Sequence, residues 1–536
     1  MSAAKTRILP VGDAALTVEL GRDLDPSLNA RVRALDDALR AEPFAGLLEC
    51  VPAYASLLVV YDPRQVSFAE ARAVLEQRLE VPTVGARAGA RHEVPVRYGG
   101  EDGPDLSEVA LRCGLSEDEV VARHTSRDYT ALFVGFLPGF AYLGTLPRGL
   151  ERPRRASPRP RVPAGSVAVA GRLTGVYPAA SPGGWNLIGR TDLAMFDPRA
   201  DPPARVQPGD RVRFVRTDRA LRPAPPPAAS VSATPSLEVI DGGLLTTVQD
   251  GGRRGHRRVG VPLCGALDPR AMALANLALG NPHDAALLEC TASGLALRFL
   301  AATRFAVAGA DLGATLERSD LGPWPVPMGR AALARAGNVL SLQERRAGLR
   351  AFIAFAGGID VAEVLGARAT DLMSGFGGFE GRALRAGDRL GLGRPSAALA
   401  GGGDEPPVAA TPPGPITLRI VMGPQDDMFT AEARVRLASE TYEVGPLSDR
   451  TACRLLGTPL QHEGGAEILT DGMVPGCIQV PGDGRPIVML ADAPTTGGYP
   501  KIATVITADL PALAQLAPGD RLRFAPVSLE EARAPS

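Results

Sequence analysis

The segment Asp492-Ala493-Pro494-Thr495-Thr496-Gly497-Gly498-Tyr499-Pro500-Lys501 gathers two hydroxyls, two glycines and a cation in a short stretch. Glycine-freed backbone amides, threonine hydroxyls and an ammonium are what a phosphate or carboxylate requires. Lysine is otherwise almost absent, Lys5 and Lys501 being the only two. Ser448-Asp449-Arg450 is a second polar constellation in the same region. In the first half, His124 precedes Tyr129-Thr130-Ala131-Leu132-Phe133-Val134-Gly135-Phe136-Leu137-Pro138-Gly139-Phe140-Ala141-Tyr142-Leu143. So aromatic a run is costly to expose and either fills a core or walls a pocket; His124 beside it reads either as a structural histidine or as a proton carrier. Arg155, Arg159 and Arg161 alternate with prolines ahead of Gly165-Ser166. They make a solvated basic strip or, through their guanidinium forks, an anion site. Thr247-Val248-Gln249-Asp250-Gly251-Gly252-Arg253 sets polar side chains between glycines, which lets a backbone approach a ligand closely.

Other chemistry is excluded. There is no G-x-x-x-x-G-K-[ST] loop and no Met-Lys-Met site, so an ATP site has to be of another kind and any biotin has to ride on another chain. The formal net charge is -1, which recruits neither nucleic acid nor an anionic membrane surface and leaves small neutral or anionic ligands. The 6 cysteines contain no C-x-x-C pair, which argues against a zinc site or a disulfide framework and for buried free thiols. Met1-Ser2-Ala3-Ala4-Lys5-Thr6-Arg7 lacks the apolar stretch of a signal peptide, and no later segment is a long uninterrupted apolar run, so a cytoplasmic protein is expected.

The elements that must position these residues are legible in part. A chain of 536 residues needs several cores, and 61 glycines with 49 prolines suit short strands joined by tight turns. Segments 221–236 and 395–415, rich in Pro, Gly and Ala, read as tethers. Leu16, Val18 and Leu20 alternate as in a strand, and Asp25-Pro26 opens a helix whose Leu28, Val32, Leu35 and Leu39 share a face. A second strand over 57–61 and a second helix over 68–79 complete a small α/β sandwich. Residues 105–126 read as two short helices with a Ser116/Glu119 capping box. They mimic a DNA-binding helix-turn-helix, but Glu117, Asp118 and Glu119 would be repelled by phosphate.

An internal repeat points to β modules. Gly183-Gly184-Trp185-Asn186-Leu187-Ile188, followed by Pro208-Gly209-Asp210-Arg211-Val212-Arg213-Phe214, recurs as Gly497-Gly498-Tyr499-Pro500-Lys501-Ile502, followed by Pro518-Gly519-Asp520-Arg521-Leu522-Arg523-Phe524. Val162-Pro163-Ala164-Gly165-Ser166-Val167 is loosely matched by Val474-Pro475-Gly476-Cys477-Ile478-Gln479, and a weaker third copy ends in Ala386-Gly387-Asp388-Arg389-Leu390. Gly-Asp turns feeding alternating strands fit barrel modules closed by a final strand.

On His124, Gly135 through Leu143, Val162 through Val167 and Tyr177-Pro178 to Trp185, the first third resembles the B component of 5-oxoprolinase, also described as the first component of allophanate hydrolase or the Kip kinase inhibitor. On Val248-Gln249-Asp250 with Arg253, Gly357-Gly358-Ile359-Asp360, Ser448-Asp449-Arg450 and Ile478 through Lys501, the rest resembles the C component, also described as the second component of allophanate hydrolase or the Kip antagonist. The sequence departs from the family pattern at Leu173, at Ala367 and Ala369, at Thr451-Ala452-Cys453 and at Pro494, mostly by losing hydrogen-bonding side chains.

The resemblance implies a mainly β protein with an N-terminal α/β domain and cyclophilin-like β-barrels, one in the B part and two in the C part. The α/β domain spans 1–88 and the first barrel 89–219; a linker over 220–236, a second barrel over 237–394, a linker over 395–415 and a last barrel over 416–536 follow. The implied activity is ATP-dependent hydrolysis of 5-oxoproline to glutamate with the 5-oxoprolinase A component as a separate chain, and Mg2+ is implied because ATP is. In that reading His124, Asp449 and Asp492 serve proton transfer or metal contact. Arg155, Arg159, Arg161, Ser166, Asp250 and Arg253 hold the substrate, and Gln479, Thr495, Thr496, Gly497, Gly498 and Lys501 hold the nucleotide. One alternative is a carboxyltransferase acting on urea or a related amide with a biotinylated partner; another is a non-catalytic histidine-kinase regulator. A homo-oligomer stays open.

Overall fold

A computed structural model of the chain describes residues 6–80, 89–222, 234–318, 322–395 and 414–533. Most of both expected linkers, 223–233 and 396–413, lies outside the described residues.

Asp25 caps the first helix, Pro26–Ala41, by accepting from Ser27 N at 2.8 Å, and the helix buries Val32, Leu35 and Leu39. With the helix Phe68–Glu80 it covers a four-stranded antiparallel sheet whose outer strands are Arg7–Pro10 and Leu47–Pro52. Helices Leu106–Cys113 and Glu117–His124 follow, the second entered through the reciprocal Ser116/Glu119 box.

The repeat has a physical basis in one turn used three times. Gly209, Gly387 and Gly519 have φ of 98°, 89° and 91°, where a side chain would be strained. The aspartate after each closes the turn by accepting from the backbone N–H three residues earlier: Gln207 at 2.9 Å, Arg385 at 2.8 Å and Ala517 at 2.8 Å. Two of the turns feed strands that close seven-stranded barrels. Arg211–Arg216 runs parallel to Arg91–Tyr98 and antiparallel to Asp128–Val134. Arg521–Pro526 runs parallel to Ile416–Met422 and antiparallel to Tyr442–Val444. The third turn feeds Arg389–Leu392, which pairs antiparallel with Leu237–Gly242 in a seven-stranded sheet. A five-stranded sheet faces it, so this unit is built from two sheets around one core, with Leu237, Leu297 and Leu340 from one and Val248, Leu288 and Ile353 from the other. Helix Pro269–Leu277, capped by Asp268, packs Ala271, Met272 and Ala275 on the five-stranded sheet.

Cores cross the boundary between the halves. Val259 and Val261 belong to the core of the first barrel. Val11, Val51 and Leu58 of the N-terminal sheet pack with Met473, Cys477 and Met489 of the last barrel. No described helix is long and apolar enough to cross a membrane.

Candidate active site at the junction of the halves

The seam between the halves is organised by residues 253–264. Val259 bridges Val134 and accepts from Gly139 N at 2.9 Å, which docks the 135–140 loop of the first barrel onto the second half. At Gly260, with φ of 82°, a Cβ would sit 2.3 Å from the Leu137 carbonyl oxygen, so only glycine allows this approach. Arg257 N donates to Glu49 at 2.7 Å, and the Arg257 guanidinium reaches the Met473 carbonyl. Arg258 Nε pairs with buried Asp36 at 2.6 Å. Phe136 and Cys264, with φ of 67° and 52°, are non-glycine residues held in the left-handed region. Such backbone strain persists only where the surroundings enforce it, and it concentrates at functional sites.

Between these elements lies a cavity of about 120 Å³. Phe136, Leu137, Pro138, Ser181 and Pro182 line it from the first half; Pro262, Met373, Ser374, Thr451, Asp492 and Pro494 line it from the second. Two of the departures from the family pattern, Thr451 and Pro494, are therefore in its wall. Asp492 is its one ionisable lining group, with a side chain 8% exposed. Arg450 Nε and Nη2 hold both oxygens of Asp492 at 2.9 Å each. The same guanidinium is bonded to Glu289 and donates to the Gly265 carbonyl at 2.7 Å. Burial raises the Asp492 carboxyl to about 6 against the pull of Arg450, with Asp371 and Glu289 adding like-charge repulsion. Burial likewise raises Asp371, whose Oδ2 has no partner and whose Oδ1 accepts from Ser374 N at 2.9 Å. A carboxyl that titrates near neutrality beside a cavity is a candidate proton donor and acceptor.

The other expected site residues fall elsewhere. His124 is fully buried in the first barrel, with ring nitrogens 2.8 Å from Tyr98 Oη and 2.9 Å from Thr174 Oγ1 and its ring stacked on Phe214 at 4.5 Å. Burial lowers its pKa to about 3, which keeps the ring neutral within the barrel core. Arg155 and Arg159 pair with buried Asp105 at 3.0 and 2.7 Å. Asp105 in turn accepts from Leu187 N at 2.7 Å. Arg161 stays exposed on the strand Arg159–Val162, and Ser166 is buried in the barrel wall. Asp449 is a turn residue that accepts from Thr451 N at 2.7 Å and Ala452 N at 3.0 Å.

The 495–501 segment lies in the seam between the halves, and the Thr495 and Thr496 hydroxyls have no hydrogen-bond partner there. Lys501 is fully buried, its ammonium 2.5 Å from Asp471. Asp471 also accepts from Ser56 at 2.5 Å and Gln425 at 3.2 Å, which ties the last barrel to the N-terminal sheet. These partners hold its carboxyl below the usual range despite burial. Thr495 and Thr496 are buried, and Thr496 packs so closely on Gly135 that a Cβ there would sit 2.2 Å from its Oγ1. Gln479 props the turn by donating to the Tyr499 carbonyl at 3.2 Å; beside it Gly497 pairs with Asp471, and Gly498 accepts from Ile468 N at 3.0 Å.

Asp250 belongs to a second, larger cavity of about 480 Å³, lined also by Asp284, Asp360, Glu363, Arg368 and Arg394. Its carboxylate accepts from Gly252 N at 2.9 Å and from Arg368 N. Arg253 is wholly buried, bonded to the Val364 and Ala369 carbonyls and 4.8 Å from the centre of the Phe376 ring. Among the described residues no group of three or more His, Cys, Asp or Glu could hold a metal ion. Sequence reasoning missed Ser181, Asp371 and Glu289. Only Glu289 carries a signal, a lone carboxylate inside the apolar strand Leu287–Thr291.

Comparison with known proteins agrees with this two-part construction. Residues 6–206 match the family "Carboxyltransferase domain, subdomain C and D", and residues 259–526 match "Carboxyltransferase domain, subdomain A and B". The chain is 42% identical to the B component of 5-oxoprolinase from Bacillus subtilis over 39% of its own length and 92% of the relative. It is 39% identical to the C component of 5-oxoprolinase from Escherichia coli over 55% of its own length and 93% of the relative. Urea amidolyase of Lachancea kluyveri is 32% identical over 56% of this chain, which corresponds to 17% of that much longer protein. The crystal structure of TTHA0988 superposes with a TM-score of 0.82 at 38% identity, covering 95% of this chain and 99% of that one. The chain thus belongs to the carboxyltransferase-domain family and joins in one polypeptide what its 5-oxoprolinase relatives divide between separate B and C components.

Proposed function

We propose that this chain is the fused B and C component of a cytoplasmic, ATP-dependent 5-oxoprolinase that works with a separate A component. The observation that carries the reading is the junction cavity, which needs both halves to exist and is faced by a carboxyl titrating near 6. A lactam carbon is a poor electrophile and its nitrogen a poor leaving group. ATP, as co-substrate with Mg2+, supplies activation: the amide oxygen takes the terminal phosphoryl group and ADP leaves. Water then adds to the carbon, the ring nitrogen takes a proton, and the C–N bond breaks to leave an acyl phosphate. A second water releases phosphate and glutamate. Protonated Asp492 is suited to give the nitrogen its proton, and Arg450 holds the resulting carboxylate. Arg161, exposed on its strand, is the remaining arginine of its strip for the substrate carboxylate. Phosphate binding is assigned to surfaces completed by the A component, since the 495–501 segment is occupied with holding the halves together.

The test is reconstitution. The chain alone should form little glutamate, and adding the A component should yield glutamate, ADP and phosphate; full turnover by the chain alone would refute the division of labour. A second reading, carboxyl transfer to urea or a similar amide, is favoured by the urea amidolyase relative. It requires biotin from another chain, because the sequence has no Met-Lys-Met site and Lys501 is buried in an ion pair. Activity dependent on bicarbonate and blocked by avidin would select it.

A further inference from the structure

The proposed chemistry leaves Ser181, Ser374 and Thr451 of the junction cavity unused; the hydroxyls of Ser181 and Ser374 are both unpartnered, and Ser181 is the one that the first half contributes. Ser181 lines the cavity, is 3% exposed, and its Oγ has no hydrogen-bond partner. A buried hydroxyl left unsatisfied costs about 1–3 kcal/mol, and native structures keep few of them. The strand Ser181–Gly183 pairs with Arg159–Val162 through backbone bonds, and four of the residues lining the cavity, Pro138, Pro182, Pro262 and Pro494, are prolines without an N–H. The polar side chains among the other lining residues are Ser374, Thr451 and Asp492, all from the second half.

We infer that the Ser181 hydroxyl is the first half's hydrogen-bonding partner for the amide of the ligand, with Asp492 as its counterpart from the second half. The ligand class follows from the lining: a compact, uncharged amide group inserts between proline walls, while any carboxylate it carries stays at the mouth, since no cationic side chain lines the cavity. Ser181 is a positioning residue for that amide. The inference rests on the junction cavity being the amide site of the proposed reaction, but not on which amide is the natural one.

The experiment measures binding and stability of the full chain, with and without the A component, for wild type and Ser181→Ala, using 5-oxoproline, 2-pyrrolidinone and urea as probes. Removing an unpartnered hydroxyl should leave the melting temperature of the ligand-free chain unchanged or raise it, whereas amide affinity should fall about tenfold, the loss of one hydrogen bond. A structural role predicts the opposite pair of results, a lower melting temperature and a loss of affinity only in proportion to unfolding. Unchanged affinity in Ser181→Ala overturns the inference while leaving the 5-oxoprolinase reading in place. Binding of urea but not 5-oxoproline, weakened by Ser181→Ala, sinks that reading and keeps the inference. Absence of saturable binding of all three probes to the wild type overturns the inference.

Discussion

Asp492 and Lys501 lie at the two ends of one short segment, and their surroundings give them opposite tasks. Asp492 titrates at about 6 because burial outweighs Arg450, so its proton can leave and return near neutrality. A group needed as an acid loses its working form as pH rises through its pKa, so kcat should fall above pH 6. Asp492→Asn should remove that limb and lower kcat by roughly 10²–10⁴, the usual contribution of a general acid or base. The sign for stability is the same. A carboxyl raised on folding favours the folded state most when protonated, so its contribution declines as pH climbs from the ordinary carboxylate range through about 6. Pairing the pH–rate profile with melting curves for Asp492→Asn checks both statements. Lys501 has instead spent its charge on Asp471. Lys501→Ala leaves that carboxylate buried without its cation and should destabilise the chain by about 3–5 kcal/mol. Chemical denaturation would measure this, and at temperatures where the variant stays folded its nucleotide affinity in the complex should be unchanged. The isolation of Lys501 was legible in the sequence. Its partner was not, because nothing in the Asp471-Gly472 pair announces that it faces Ser56, 415 residues away.

At the scale of elements, legibility followed the range of the interactions involved. The cap at Asp25, the Ser116/Glu119 box and the Pro-Gly-Asp turns are closed within three residues by backbone and side-chain bonds, and all could be read directly. The loop 135–140 looked like a core or pocket segment, and it is both the wall of the cavity and the dock for Val259. Its second role depends on residues more than a hundred positions away, which no local pattern encodes. The pairing of Arg155 and Arg159 was illegible for the same reason, their acceptor Asp105 lying in another element. Close approach at the dock is itself testable. Gly260→Ala adds a Cβ in a left-handed backbone and against the Leu137 carbonyl oxygen, so the loop must move. Strain of this kind costs on the order of 1–3 kcal/mol. The variant should melt lower than wild type and lose activity through a disordered cavity wall, whereas Gly255→Ala, with φ of 85° but open space around its Cβ, should pay the backbone strain without the loss of activity.

At the scale of the whole molecule, the two halves are held by contacts that do not depend on the chain between them. The first half sends Asp36, Glu49 and Ser56 to Arg258, Arg257 and Asp471 of the second, all of them buried or nearly so. Val11, Val51 and Leu58 add apolar burial against Met473, Cys477 and Met489, each such side chain contributing roughly 1.5–3 kcal/mol when taken fully out of water. Exposed pairs such as Arg22 with Asp427 add little and are screened by salt. A tether across such a seam mainly raises effective concentration. Cleavage near Pro225 should therefore leave fragments 1–225 and 226–536 that co-elute as one species and, with the A component, turn over at close to the intact rate. Association should survive a rise in salt from about 0.1 to 1 M, because screening reaches the exposed pairs and not the buried ones. Sedimentation or size-exclusion with light scattering on the cleaved protein decides the matter. Fragments that separate at micromolar concentration would show that the seam cannot hold without the covalent link, and would remove the basis for a cavity shared between the halves.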